Sequence, residues 1–81
     1  MQFRTLVKTD MLAVDDQTLA VRYFELRTVR GTQRYSAEIL LGGDDRIILD
    51  GDSVTTLEAK IRRLVPATLY SRVLAARATA A

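Results

Sequence analysis

Tyr35, Ala37, Ile39 and Leu41 alternate with Arg34, Ser36, Glu38 and Leu40 between two glycine-marked breaks, Gly31-Thr32 and Gly42-Gly43-Asp44-Asp45. Successive side chains of a strand point to opposite faces. This period of two therefore predicts a half-buried strand with its odd-numbered positions toward the core. A third break, Asp15-Asp16-Gln17-Thr18, separates Leu12-Ala13-Val14 from Leu19-Ala20-Val21. Glycine and aspartate supply the backbone angles that hairpin loops demand. The runs Leu19–Val29, Tyr35–Leu41 and Arg46–Asp50 are rich in β-branched and aromatic residues, which suit a pleated surface. They predict an antiparallel meander of three strands, with a fourth between Gln2 and Val14.

The hairpin loops set the expected registers. A two-residue Gly31-Thr32 turn with glycine first, as a type II′ turn prefers, places Thr28 opposite Tyr35, Leu26 opposite Ala37 and Phe24 opposite Ile39. An odd-length loop with a glycine bulge among residues 42–45 places Leu41 opposite Ile47 and Ile39 opposite Leu49. Tyr23, Leu40 and Ile48 then lie side by side on the outer sheet face, with Val21 close by. Glu25, Glu38 and Asp50 form a row of acids on the same face.

After Asp50 the period lengthens. Asp52, Ser53 and Thr55 are each acceptable N-caps, Ser53 best accounted for in that role, and Thr55 with Glu58 has the spacing of a capping box. Leu57, Ile61 and Leu64 recur at helical spacing, with Lys60, Arg62 and Arg63 on other sides. Pro66 either kinks this helix or begins a second one, because proline has no N–H to donate. From Ala67 to Ala78 the residues are strong helix formers, with one stripe of Leu69, Val73 and Ala76 and a second of Tyr70 and Leu74. The expected fold is α+β: a three- or four-stranded antiparallel β meander, then one kinked or two consecutive C-terminal helices packed on one sheet face. Residues 1–81 read as a single small domain, mainly β over 1–50 and mainly helical over 53–79.

Composition narrows the function. The 81 residues include no Cys, His or Trp. That removes disulfides, zinc-finger ligand sets, thiol nucleophiles and imidazole acid–base catalysis. Ser36, Ser53 and Ser71 lack an activating histidine, and Gly42-Gly43 lacks the glycine, lysine and hydroxyl residue of a phosphate loop. Catalysis is not expected, nor are a cofactor, a resident metal or a small-molecule substrate. The acid row is the one place a hard cation would fit, through oxygen ligands. No apolar run approaches the roughly 20 residues of a membrane span. The opening residues lack a signal peptide's basic and then apolar regions, so a cytoplasmic protein is expected.

Two features point to macromolecular partners. Tyr23, Leu40 and Ile48 on the sheet, and Tyr70, Val73 and Leu74 on the helix, are apolar residues for which a two-layer domain has no second partner. They predict self-association, most simply a homodimer, or contact with another protein. The alternative is that the N-terminal segment, with Phe3, Leu6, Met11 and Leu12, covers one of these patches. Charge is the second feature. Residues 1–52 hold seven cations against nine anions, whereas residues 53–81 hold five cations against one anion. Lys60, Arg62, Arg63 and Arg72 are therefore candidate phosphate contacts for a nucleic-acid partner. Gly51-Asp52-Ser53 leading to Leu57-Glu58-Ala59 resembles the strand-to-helix entry of HicB-type antitoxins over fewer than ten residues. The proline-glycine segment expected before that entry is absent, and no functional residue carries across.

Overall fold

Four strands follow in chain order, each antiparallel to the one before: β1 (Gln2–Val14), β2 (Gln17–Thr28), β3 (Gln33–Gly42) and β4 (Asp45–Gly51). A single helix, α1 (Val54–Ala80), completes the α+β domain. The computed structural model describes residues 2–80, with side chains for residues 3–77.

The three breaks all form turns, but not all as expected. Asp15 and Asp16 close the first hairpin between the paired Val14 and Gln17, with Asp15 in the left-handed region at φ 54°. Aspartate tolerates that region better than most residues. The second loop is odd in length, with residues 28–32 between the paired Arg27 and Gln33, rather than two residues long. The Gly31 amide donates to the Thr28 carbonyl at 2.9 Å, and the Thr28 amide donates to the Thr32 carbonyl at 3.1 Å.

That longer loop corrects the β2–β3 register. Val21 lies opposite Ile39, Tyr23 opposite Ala37 and Glu25 opposite Tyr35. The shift from the expected pairing is three residues, and an odd shift exchanges the two faces of β2. Core chemistry supplies the reason. The expected pairing would have turned Arg22 toward the core opposite Leu41, whereas the observed one buries Leu19, Val21 and Tyr23. In the β3–β4 hairpin the parity holds but the pairing moves by two, so that Ile39 faces Ile47 and Ala37 faces Leu49. Leu41 is the extra residue of a bulge there, and Gly43-Asp44 form the turn.

β1 does not cover either sheet face. It extends the sheet beside β2, and its ladder slips once between Leu6 and Lys8. Arg4 and Leu6 precede the slip and share the face of their partners Leu26 and Phe24. Lys8 and Asp10 follow it and share the opposite face with Tyr23 and Val21.

Ser53 caps α1: its hydroxyl oxygen accepts from the Thr56 amide at 3.1 Å, and its carbonyl accepts from the Leu57 amide at 3.1 Å. One helix, not two, then runs through Pro66. Leu57, Ile61 and Val65 are its buried residues, packed over Val21, Tyr23, Ala37 and Ile39. Val65 takes the place expected for Leu64, which stays 36% exposed. The 27 residues of α1 span about 40 Å, against about 23 Å for seven-residue β4. The helix overshoots the strand β4 beside it, and the molecule measures 51 × 23 × 20 Å.

Candidate interaction surface

The helix packs against β3 and β4 on one side of the sheet only. The other side is open. At its centre Glu38 is 5% exposed, with three arginines from three other strands around its carboxylate. Arg4 Nη2 donates to Oε2 at 2.9 Å, while Arg46 and Arg22 lie 3.6 and 3.9 Å from Oε1. The Arg4 guanidinium also stacks 3.6 Å from the centroid of the Phe24 ring. The carboxylate accepts one hydrogen bond and offsets the mutual repulsion of the three arginines around it.

This arrangement overturns the expected row of acids. Glu25 faces Tyr35 and pairs with Arg27 at 3.0 Å, and Asp50 faces Ser36 with Arg34 at 3.9 Å. Among the described residues no group of three or more Asp and Glu side chains is placed to hold a metal ion. The arginine cluster was not legible in advance. Arg4 is 34 positions from Glu38, and their meeting depends on the β1 slip and on the corrected β2 register.

Apolar residues surround the Glu38 cluster. Leu6, Met11 and Ile48 are exposed, and Phe24 and Leu40 are half-buried. Leu40 and Ile48 therefore lie where the alternation placed them. Tyr23 does not: it is 3% exposed beneath α1, and so leaves the candidate interface. Burial, and then the nearby Glu58 carboxylate, push the Tyr23 phenol above its ordinary range. Lys8 donates to Glu58 at 3.1 Å, and that hydrogen bond and charge raise the lysine as well. Asp10, Tyr23, Glu58 and Arg62 line a hollow of about 100 Å³ between β1, β2 and α1, well short of the ~300 Å³ typical of ligand pockets.

The second apolar group sits on the overshooting part of α1. Tyr70, Val73 and Leu74 are 66%, 47% and 46% exposed, while Leu69 packs partly against the core. The four candidate phosphate contacts do not all lie on one face of the helix. Lys60 and Arg62 stand about 200° apart around the helix at 100° per residue. Lys60 donates to the Asp50 carbonyl at 2.8 Å, and Arg72 is ion-paired to Asp45.

No family model, curated protein or solved structure matches the chain. Among the described residues no helix is long and apolar enough to cross a membrane.

Proposed function

We propose that this is a small non-catalytic protein that acts by self-association, as a homodimer. The observation that carries the reading is the exposure of large apolar side chains on two surfaces that nothing among the described residues covers. These are exposed Ile48 beside half-buried Leu40 on the open sheet face, and exposed Tyr70, Val73 and Leu74 on the overshooting helix. Contiguous apolar patches of this kind mark association surfaces on soluble domains. A two-fold interface uses the same patch twice, so a single chain supplies both halves.

Sedimentation equilibrium tests this. The wild-type chain is expected to sediment as a dimer at micromolar concentration. The double variant Leu40→Lys/Ile48→Lys is expected to keep its circular dichroism spectrum and to sediment at the monomer mass of 9.1 kDa. A wild-type chain that stays monomeric at millimolar concentration overturns the reading.

A further inference from the structure

The two edges of the sheet differ in a way that bears on how two copies would meet. An edge strand carries a row of unpaired backbone groups, and natural sheets blunt such edges with bulges, lysines or prolines. β1 is blunted by its slip at Val7 and by Lys8. β4 has no proline and no lysine of its own, and the bulge of its hairpin lies on β3; Lys60 of α1 donates to its carbonyl at Asp50, leaving its centre uncovered among the described residues. Its central residues read Arg46-Ile47-Ile48-Leu49-Asp50.

That segment is complementary to its own reverse. Turned antiparallel about Ile48, it sets Arg46 opposite Asp50, Ile48 opposite Ile48 and Ile47 opposite Leu49. Arg46, Ile48 and Asp50 share the open face, while Ile47 and Leu49 face the core side and pack partly against it. Each opposite pair is thus like with like in polarity and opposed in charge. Arg46 and Asp50 are free to turn outward, with side chains 54% and 76% exposed and their ion pairs within the chain at 3.6 and 3.9 Å. β1 fails the same operation. Reversal about Val7 would also set Arg4 against Asp10, but the slip places those two residues on opposite faces of the sheet.

We infer that two copies of this chain join edge to edge through β4, about a two-fold axis at Ile48, with Arg46 of each copy paired to Asp50 of the other. This rests on the self-association proposed above and names its surface. The axis stands normal to the sheet, because only that operation makes neighbouring antiparallel strands equivalent within one continuous sheet. Two four-stranded sheets become one of eight strands, and both α1 helices lie on the same side, antiparallel. Lys60 reaches β4 at Asp50, whereas Glu58 reaches β1 at Lys8, so the Lys60 flank of α1 faces the shared edge. Leu64, Ala67, Ser71 and Leu74 follow Lys60 along that flank at helical spacing. Small Ala67 and Ser71 leave room for the second helix near the axis. One axis thereby engages both the open-face residue Ile48 and the exposed helix.

Charge reversal provides the test. Arg46→Asp sets two acids against each other at both ends of the junction, and Asp50→Arg sets two arginines there. Each variant alone is expected to dimerise at least about tenfold more weakly than wild type. An equimolar mixture of the two restores opposite charges at both ends and is expected to recover the wild-type dimer as a heterodimer. Ile48→Cys gives a second readout in a chain with no other cysteine. Its two sulfur-bearing residues would lie about 4.5–5.5 Å apart between Cα atoms, within disulfide range, so mild oxidation is expected to yield a covalent dimer. A wild-type dimer whose affinity neither charge variant alters, or whose Ile48→Cys form stays uncrosslinked, overturns the β4 junction and leaves self-association standing. A monomeric wild-type chain overturns both.

Discussion

The two halves of α1 share one hydrogen-bonded helix and similar helix-forming composition, yet their apolar residues meet opposite fates. In the first half Leu57, Ile61 and Val65 are 0–2% exposed over the sheet. In the second, Tyr70, Val73 and Leu74 are 46–66% exposed beyond it. Helical periodicity is present in both, so periodicity alone does not say which stripe is core. What decides is the length of the β3–β4 hairpin underneath, which ends near Asp45 where Arg72 reaches back to it. The first half is held by packing; the second is held by propensity and by continuity with the first.

The largest effect that would sharpen this contrast comes from Leu57→Ala. It removes a fully buried side chain and should destabilise the domain by about 2–4 kcal/mol in denaturant unfolding. Pro66→Ala comes next and acts in the other direction. Proline inside α1 leaves the Arg62 carbonyl without its helical donor. Restoring an N–H there should raise stability by about 1–2 kcal/mol. It should also slow amide exchange across residues 68–77, which would narrow the gap between the two halves.

Tyr23 probes the packed half through pH. Its folded-state pKa lies above the usual phenol value of about 10, chiefly because burial disfavours the phenolate. A group raised on folding contributes in full below its unfolded pKa, and that contribution is lost as pH rises through the folded value. Stability should therefore fall above pH ~10, by up to about 1.4 kcal/mol per pH unit from this group. Tyr23→Phe should remove that part of the alkaline decline in chemical unfolding measured at successive pH values.

The smallest effect is the counterpart of the first. Leu74→Ala should change monomer stability by less than about 0.5 kcal/mol, as surface substitutions do. A loss approaching that of Leu57→Ala would mean that the second half is packed after all.

Strands β2 to β4, the turns and the start of α1 were legible because each has a local cause, whereas β1 has no such mark and its sequence leaves it open. Alternation marks β3, glycine and aspartate mark the loops, and Ser53 stands where a capping hydroxyl belongs. The faces of β2 were harder to read. Its register is fixed by one loop, and the segment about Gly31 accommodates either a two-residue closure or the odd-length one observed between Arg27 and Gln33. The choice falls to the burial of Leu19, Val21 and Tyr23 against the exclusion of Arg22, a comparison that needs all of β3 in view. Glu38 shows the same limit more sharply. Its three arginines come from β1, β2 and β4, and nothing local to β3 announces them. Leu40 and Ile48 were placed on the open face because the parity of the β3–β4 hairpin survived a two-residue error. An even displacement moves a residue along a face without turning it over.

The slip in β1 makes the chain unevenly tolerant of losing a residue. Leu6 pairs with Phe24 and Lys8 with Tyr23, so the ladder already counts as though Val7 were missing. Deleting Val7 would leave every other β1 side chain on its present face, with Arg4 still toward Glu38 and Lys8 still toward Glu58. Deleting a residue from the middle of β2 would instead turn half of that strand inside out. The cost at Val7 falls on solubility, because the shortened β1 would present a straight, unkinked border to its neighbours in solution.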